Sequence, residues 1–361
     1  MFQNDKFSWG ISLDAIWNYA GMPPPKSMLL PYVLSLKLPR GPVEVYDHLN
    51  SDQVIEEQLN LTNEEESMNE VKEICDDLVI RLKEAKISFV RAWFPWSFFY
   101  RSVTDPPEFP MDTFVETLKS NGIEILSVIG NGYSRFLPNG ASVDHLQMYV
   151  NQLSSASTEI VRHYKDSIKF WQLENEPNWW REHAAVDWRS GLIWFEHDSD
   201  ETIISCLHDV VRKECPDAKI VVNVEGDRSD INFDRYTKYC DIIGLDLYPG
   251  YTHPHEISAE KIRIASDVKK ATGKQVIIAE TGKPSGPKIF GYTEEGQAEY
   301  IKSACDVASS CDAVDALCVW RFSDSYWRSF PMQENHFGLL TKRREPKAAW
   351  FEYVNQIRDK S

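Results

Sequence analysis

Short apolar runs alternate with longer amphipathic segments along most of the chain. Several of the short runs are nearly continuous in Val, Ile and Ala, as in QVIIAE at residues 275–280. Such runs are typical of parallel strands that are covered on both faces. The pattern predicts eight strands, at residues 6–12, 87–93, 122–130, 167–174, 219–224, 241–248, 274–280 and 313–322.

The segments between these runs carry apolar residues three and four positions apart, which is the spacing of a helix with one buried face. Eight strands that alternate with about eight helices predict an α/β fold, the (β/α)8 TIM barrel. An open, doubly wound parallel sheet is the alternative. The clearest predicted helices cover residues 66–86 and 144–164, and further helices are predicted at residues 200–215, 259–272, 293–309 and 345–360.

Residues 13–65 depart from this alternation and contain GMPPPK and LPRGP. They predict a long irregular insertion after strand 1, which in a barrel would lie on the catalytic face. Two interpretations stay open: a lid or binding wall, or a packing excursion that does not touch substrate. Because no repeat, low-complexity tract or Gly/Ser-rich linker divides the chain, a single catalytic domain over residues 1–361 is expected.

The charge balance narrows the class of partner. The 361 residues include 55 acidic and 39 basic side chains, for a net charge of −16. Nucleic-acid binding requires a basic surface, so no nucleic-acid partner is expected. The opening MFQNDKFSWG has no signal-peptide pattern, and no run of about 18 apolar residues predicts a membrane span.

The cysteines and histidines give no sign of a metal site. The seven Cys residues are irregularly spaced without any CxxC pair, so buried free thiols in a reducing cytoplasm are expected. The HPH of residues 253–255 has no third ligand nearby in the sequence and is interpreted as part of a loop. We therefore expect a cytoplasmic protein that needs neither a metal nor a cofactor, and its oligomeric state stays open.

Polar and aromatic residues end or follow six of the predicted strands. The carboxyl ends of the strands of a barrel meet on one face, where barrel enzymes keep their active sites. These side chains are therefore expected to lie close together. The set comprises Arg91 on strand 2, Asn131 after strand 3, Asn175 and Glu176 at strand 4, Tyr248 at strand 6, Glu280 at strand 7 and Trp320 at strand 8.

Two glutamates in this set suit one particular chemistry. Glu280 closes an apolar run, and Glu176 precedes Pro177, which ends its strand. Two carboxyl groups that face each other across a cleft can cleave a glycosidic bond. One, with a raised pKa, protonates the leaving oxygen, and the other, kept ionised, attacks the anomeric carbon or activates water. Arg91 and the Tyr248 hydroxyl are the predicted partners of the ionised carboxylate.

The stretch WQLENEPNWW at residues 171–180 combines acid, amide and indole groups. Aromatic faces stack on the C–H surfaces of sugars, so Trp320 and one of Trp179 or Trp180 are expected to contact substrate. The other tryptophans are expected to pack in the interior. Glu174 is the rival for the acid, although a structural role within its strand is favoured, and Asp246 is expected to be a residue of the barrel's internal layers.

The motifs together resemble a known group of enzymes. The NEP of residues 175–177, the IIAETG of residues 277–282, Arg91 on strand 2 and Trp320 on strand 8 are similar to those of the clan of retaining (β/α)8 glycoside hydrolases. That clan includes β-glucosidases, β-mannanases, cellulases and β-xylosidases. The resemblance runs from about strand 2 to the C-terminus and does not assign a subfamily.

The resemblance implies specific roles. Glu176 would be the acid/base and Glu280 the nucleophile, while Arg91 and Tyr248 would keep the nucleophile ionised and oriented. Three further residues would contact the sugar at or near the site of cleavage. These are Asn175 at the 2-hydroxyl, Trp320 as the floor of the subsite, and Asn131 in VIGNGYSRF (residues 128–136), a stretch similar to one in β-xylosidase-like members.

The expected function is therefore retaining hydrolysis of β-glycosidic bonds, on oligosaccharides or small glycosides. Two alternatives stay open: transglycosylation by the same site, and a carbohydrate-binding barrel that performs no chemistry. The sequence leaves the identity of the sugar, its linkage and exo or endo action undetermined.

Overall fold

The protein forms a closed barrel of eight parallel strands, in the order in which they occur in the chain. The computed structural model describes residues 7–13, 64–94, 111–130, 143–178, 198–226, 233–248, 259–324 and 332–360. The strands are β1 (Ser8–Leu13), β2 (Phe89–Trp93), β3 (Glu124–Val128), β4 (Phe170–Gln172), β5 (Lys219–Glu225), β6 (Ile242–Asp246), β7 (Gln275–Thr281) and β8 (Ala316–Val319).

This topology confirms the predicted (β/α)8 barrel, and each observed strand overlaps a predicted one. Ser8 of β1 pairs with Ala316 of β8, which closes the sheet on itself. The alternative of an open sheet is therefore wrong. The predicted insertion at residues 13–65 lies outside the described residues except at its ends, where Leu13 completes β1 and Glu64 begins the first helix.

Helices alternate with the strands in the described part of the chain. The six helices predicted from the sequence are confirmed, and two short ones, α2 and α5, were not predicted individually. No helix in the described residues is long and apolar enough to span a membrane. The helices are α1 (Glu64–Glu84), α2 (Asp112–Ser120), α3 (Val143–Tyr164), α4 (Ser199–Glu214), α5 (Asp234–Thr237), α6 (Ala259–Thr272), α7 (Glu294–Ser309) and α8 (Ala348–Lys360).

The barrel interior is apolar at its base and polar at its mouth. Because side chains alternate along each strand, every second residue points inward. The inward residues nearer the strands' amino ends form one apolar cluster, and the residues beyond them towards the carboxyl ends are polar. The apolar cluster contains Phe89, Leu126, Phe170, Val221, Ile242, Ile277, Ala279, Ala316 and Cys318.

All seven cysteines are unpaired, as predicted from their spacing. Five are buried, and the other two, Cys206 and Cys311, are half-buried. Burial raises the pKa of the Cys75 and Cys240 thiols to about 12. These thiols are therefore neutral packing groups at ordinary pH.

Gly10 makes room for the largest side chain at the base of the barrel. A Cβ at this position would lie 2.2 Å from the ring of Phe89, and the Gly10 carbonyl accepts a 2.6 Å hydrogen bond from the Tyr353 hydroxyl of α8. The backbone of β1 is thus fixed from outside while the Phe89 ring presses against it from inside. The interior side therefore leaves no space for a methyl group.

We expect Gly10→Ala to lower the free energy of unfolding by about 1–3 kcal/mol, because it overpacks a closed interior. Urea unfolding measures the change, and Phe89→Leu in the same chain should recover part of the loss. Gly296→Ala in helix α7 is the matched control, since the nearest neighbour of a Cβ there would be Thr293 Oγ1, at an ordinary contact distance of 3.4 Å. The control should stabilise the protein by roughly 0.5–1 kcal/mol, and equal losses at the two positions would contradict the packing argument.

Candidate active site

The structure brings most of the predicted site residues together at the carboxyl ends of the strands. Arg91 lies in the middle of β2 rather than at its end, and Glu280 lies in β7. Asn175 and Glu176 follow β4, Tyr248 follows β6, and Trp320 follows β8. Asn131, Trp179 and Trp180 lie outside the described residues, as does the HPH of residues 253–255.

Glu280 is held by one cation and one hydroxyl. Its Oε1 lies 2.6 Å from Nη1 of Arg91, and its Oε2 accepts a 2.7 Å hydrogen bond from the Tyr248 hydroxyl. The residue is only 6% exposed. Both carboxylate oxygens are therefore oriented by donors in a site with little water, an arrangement that suits the ionised form.

A β-bulge in β7 aims Glu280 into the barrel. The pairing with β6 advances from Leu245↔Ile278 to Asp246↔Glu280, so β7 contains one extra residue at this point. Strict alternation from Ile277 and Ala279, which face the interior, would turn Glu280 outward. The bulge reverses this, and Thr281 instead points outward, where its Oγ1 lies 2.6 Å from the Tyr300 hydroxyl of α7.

Arg91 of β2 links the site residues of strands β4 and β7. Its guanidinium donates to Gln172 Oε1 at 2.7 Å and to Asn175 Oδ1 at 2.7 Å, in addition to its ion pair with Glu280. Burial by itself would lower the pKa of Arg91, but the facing carboxylates Glu280 and Asp246 raise it, and the net shift is upward. Arg91 is therefore a permanent positive charge that orients strands β4 and β7 relative to β2.

We expect Arg91→Met to lower the free energy of unfolding by about 3–5 kcal/mol, because it leaves Glu280 buried without its cation. The double variant Arg91→Met/Glu280→Gln should recover a large part of that loss, as urea unfolding of the full cycle would show. The matched control is Arg81→Met, which breaks a partly exposed ion pair with Asp77 in α1. It should cost less than about 1 kcal/mol, and a similar cost at both sites would contradict the buried-charge argument.

Buried amides connect the strands next to Arg91. Asn223 of β5 donates through Nδ2 to Asn175 Oδ1 at 2.9 Å and to Asp246 Oδ2 at 2.5 Å. Its Oδ1 accepts from Gln172 Nε2 at 2.6 Å and from the backbone N–H of Glu176 at 3.2 Å. These contacts fix the amide orientation of Asn175, whose own oxygen accepts from both Arg91 and Asn223.

Glu176 combines a strained backbone conformation with a carboxyl group of raised pKa. Its φ of 45° lies in the left-handed region, which costs a non-glycine residue about 1–2 kcal/mol. Burial first, and then the carboxylates of Glu280 and Glu225, raise the pKa of Glu176 well above its usual range, against the opposing effect of Arg91. Glu176 therefore holds its proton at pH values where an ordinary carboxyl group has lost it.

The turn that carries Glu176 is fastened to β5. Asn178 donates through Nδ2 to the Glu225 carbonyl at 3.1 Å and accepts from the Glu225 backbone N–H at 3.0 Å. With the bond from the Glu176 N–H to Asn223, three contacts hold residues 176–178 against the neighbouring strand. The strained backbone is thus imposed by its surroundings.

Glu174, the rival for the acid, is positioned differently. It is fully buried, and its Oε1 accepts a 2.8 Å hydrogen bond from the Asn175 backbone N–H. A Cβ built on Gly130 would lie 2.9 Å from the Glu174 carboxyl carbon, so this side chain packs against the end of β3. The contacts are those of a residue that supports the turn before Asn175.

Asp246 is the residue whose importance the sequence pattern understated. It belongs to an internal layer of the barrel, as predicted, and is fully buried. In addition, its carboxyl group lies within hydrogen-bonding reach of that of Glu176. Burial first, and then Glu280 and Glu176, raise the pKa of Asp246 well above its usual range. The signal was present in the sequence, since Asp246 lies two residues before Tyr248 and therefore on the same face of β6.

Aromatic rings line the mouth near these carboxyl groups. Trp320 is half-buried, and the guanidinium carbon of Arg321 lies 5.4 Å from its ring centroid. Tyr248 makes an edge contact with Phe337, with centroids 5.9 Å apart. Trp93, which was expected to pack in the interior, lies 5.3 Å from the guanidinium carbon of Arg91. Trp93 is two residues after Arg91 and shares its inward face of β2.

Nothing in the described residues resembles a metal centre: they contain no group of three or more His, Cys, Asp or Glu side chains placed to hold an ion. The buried Arg91 is instead paired with Glu280. The site therefore combines the Arg91 guanidinium, the carboxyl groups of Glu176, Asp246 and Glu280, and several amides close to aromatic rings.

Comparison with known proteins extends only to the fold. No protein-family model and no curated protein matches the chain. Solved structures do match, among them a family 2 β-galacturonidase from Eisenbergiella tayi, with a TM-score of 0.58 at 16% identity over 80% of this chain and 47% of that one. The chain thus spans about half the length of that enzyme.

Two further solved structures match a similar share of this chain at similarly low sequence identity. Xylanase 10B from Thermotoga petrophila gives a TM-score of 0.58 at 18% identity, over 79% of this chain and 89% of the xylanase. A family 39 glycoside hydrolase from Bacteroides cellulosilyticus gives 0.57 at 15%, over 78% and 60%. These solved structures are glycoside hydrolases of the TIM-barrel type, so the resemblance seen in the sequence is confirmed at the level of the fold.

Proposed function

We propose that this protein hydrolyses β-glycosidic bonds with retention of configuration, using Glu176 as acid/base and Glu280 as nucleophile. The observation that carries the proposal is the contrast between two carboxyl groups in one mouth. Glu280 is bound by Arg91 and Tyr248, whereas burial and neighbouring carboxylates raise the pKa of Glu176. Pairs of carboxyl groups whose environments differ in this way perform acid catalysis and nucleophilic attack in glycosidases.

In the first step, Glu280 attacks the anomeric carbon and forms a glycosyl–enzyme bond while Glu176 donates its proton to the leaving oxygen. In the second step, Glu176, now a carboxylate, takes a proton from water, and the water oxygen attacks the same carbon and releases Glu280. Asn175 would bind the 2-hydroxyl through its N–H₂ group, which donates to none of the described residues, while its oxygen is fixed by Arg91 and Asn223. Trp320 would form the floor of the sugar subsite.

The proposed substrates are oligosaccharides or small glycosides, and the proposed partner is carbohydrate alone. The matched β-galacturonidase and xylanase are named for galacturonides and xylans, which makes aryl glycosides of neutral and acidic sugars the appropriate panel. Release of aryl alcohol tests hydrolysis, and proton NMR of the first-formed anomer separates retention from inversion. An alcohol acceptor would reveal transglycosylation, and sugar binding without turnover would show a non-catalytic barrel.

A pH profile tests the assignment of Glu176. Protonated Glu176 is the active form for a poor leaving group, so kcat/KM should fall as pH rises through its pKa. Because burial and carboxylate neighbours raise that pKa, the fall should begin well above the ordinary glutamate value of about 4.3. A fall centred at or below that value would contradict the assignment. An activated aryl glycoside, whose departure requires no proton, is the control and should lack this limb in the glycosylation step.

A further inference from the structure

Asp246 places a third carboxyl group beside the two proposed catalytic ones. It ends β6 and is fully buried, and its Oδ2 accepts a 2.5 Å hydrogen bond from Asn223 Nδ2. Its Oδ1 is also buried, and no N–H or O–H group of the described residues donates to it. The Glu176 carboxyl group lies within hydrogen-bonding reach of Asp246, and Asn223 bridges the two residues by donating to Asp246 Oδ2 and accepting from the Glu176 backbone N–H.

Two carboxyl groups can form a hydrogen bond only when one of them carries a proton, because ionised carboxylates are acceptors alone. The Asn223 amide determines which oxygen of Asp246 carries that proton. Asn223 Nδ2 donates to Oδ2, so the O–H of Asp246 is expected on Oδ1. The Asn223 side chain is itself fixed, since its oxygen accepts from Gln172 and from the Glu176 backbone. The geometry therefore favours Asp246 as the donor and Glu176 as the acceptor.

The charges around Asp246 support the same protonation state. The cation that acts most strongly on Asp246 is Arg91 of β2, which is already paired with Glu280 of β7. Glu176 after β4 and Tyr248 after β6 face it as well, and so does Cys318 of β8. If all three carboxyl groups were ionised, this buried site would hold two more negative charges than positive ones, which burial opposes strongly.

We propose that Asp246 is a positioning residue that keeps its proton throughout the catalytic cycle and donates a hydrogen bond to Glu176. The inference rests on the proposed role of Glu176 as acid/base. When Glu176 gives its proton to the leaving oxygen, the Asp246 O–H stabilises the carboxylate that forms. When Glu176 recovers a proton from water, Asp246 returns to its starting contact, and no bond to Asp246 is made or broken.

Three variants test this proposal through the pH dependence of kcat/KM, measured with a substrate that has a poor leaving group. The quantity compared is the alkaline limb, the pH range over which kcat/KM falls as Glu176 loses its proton. Asp246→Ala removes the donor, so the limb should move to higher pH and turnover should fall about ten- to a hundredfold, the effect of one hydrogen bond to a charged group. Asp246→Asn offers an N–H in place of the O–H, so the limb should stay within about half a pH unit of the wild-type position.

Glu225→Gln is the matched comparison, because Glu225 acts on Glu176 through its charge. Removing that charge should move the limb to lower pH. If Asp246→Asn moves the limb downward in the same way, Asp246 is ionised in the working enzyme and the proposal is overturned. A merely structural Asp246 would lower turnover in Asp246→Ala without moving the limb, which would also overturn it.

Infrared difference spectroscopy locates the proton independently of turnover. The wild type should show carbonyl absorption from two neutral carboxylic acids, Glu176 and Asp246, at about neutral pH. Asp246→Asn should lose one of these two contributions, and Glu176→Gln should lose the other. Full wild-type carbonyl absorption in Asp246→Asn overturns the proposal. If the wild type cleaves no glycoside of the panel, the proposed function fails, and the infrared result still decides where the proton resides.

Discussion

Replacing Glu280 with glutamine should lower kcat by on the order of 10⁴–10⁶-fold, the range seen when an enzyme loses its nucleophile. Glutamine has nearly the same shape and can still accept the hydrogen bond from Tyr248, but it carries no charge for Arg91 and cannot form a stable glycosyl ester. The measurement is steady-state turnover of an activated aryl glycoside. Intact mass after reaction with a slow 2-fluoro glycoside should show a covalent adduct on the wild type only.

Glu174→Gln is the matched control for Glu280→Gln. Glu174 is also a fully buried carboxyl group near the barrel mouth, but it packs against Gly130 and accepts from the Asn175 N–H, which glutamine can also do. The control should lose less than about tenfold in kcat. An adduct on Glu174, or a small effect at Glu280 beside a large one at Glu174, would refute the assignment of the nucleophile.

Glu176→Ala should produce a loss that depends on the leaving group. Substrates with poor leaving groups should lose about 10²–10⁴-fold in kcat/KM, the usual contribution of general acid catalysis. An activated aryl glycoside should be cleaved at a nearly normal first step, because its departure needs no proton. The second step should then limit turnover, and azide should restore it by attacking the glycosyl–enzyme directly.

The contradictory result for Glu176 would be equal losses for all leaving groups with no azide effect. That outcome would indicate that Glu176 serves the shape of the site rather than proton transfer. The alanine variant also removes the volume of the Glu176 side chain, which glutamine keeps. Glu176→Gln is therefore the companion variant, and it should show the same dependence on the leaving group.

The barrel could be predicted from the sequence because local signals agreed with the global fold. Strand runs such as residues 276–279 are apolar and buried throughout, and helices such as α3 and α7 repeat their apolar spacing over several turns. Helix α2 was not predicted because it is only nine residues long. Its buried residues, Phe114, Val115 and Leu118, cover a single turn, so the apolar spacing does not repeat. Helix α5 has four residues, which is shorter than the period on which such predictions depend.

The site was predictable in its residue types but not in its detailed geometry. The pair Glu176 and Glu280 could be inferred because each carboxyl group interrupts or ends an apolar run. The bulge that turns Glu280 inward left no mark in the sequence, since QVIIAE reads as an uninterrupted strand. The pairing of Asp246 with Glu176 joins residues 70 positions apart, and no local pattern carries such information.

The closure of the barrel has a consequence for how the chain folds. Strand β1 is hydrogen-bonded on one side to β8, and the hydroxyl of Tyr353 in α8 donates to the carbonyl of Gly10 in β1, across 343 positions of sequence. Contacts of such high sequence separation form slowly, because the loop entropy must be overcome before they contribute. During synthesis, β1 leaves the ribosome first yet must wait for the last strand and helix before its edge is covered. The period in which that edge stays open is therefore the interval in which the nascent chain is most exposed to misassociation.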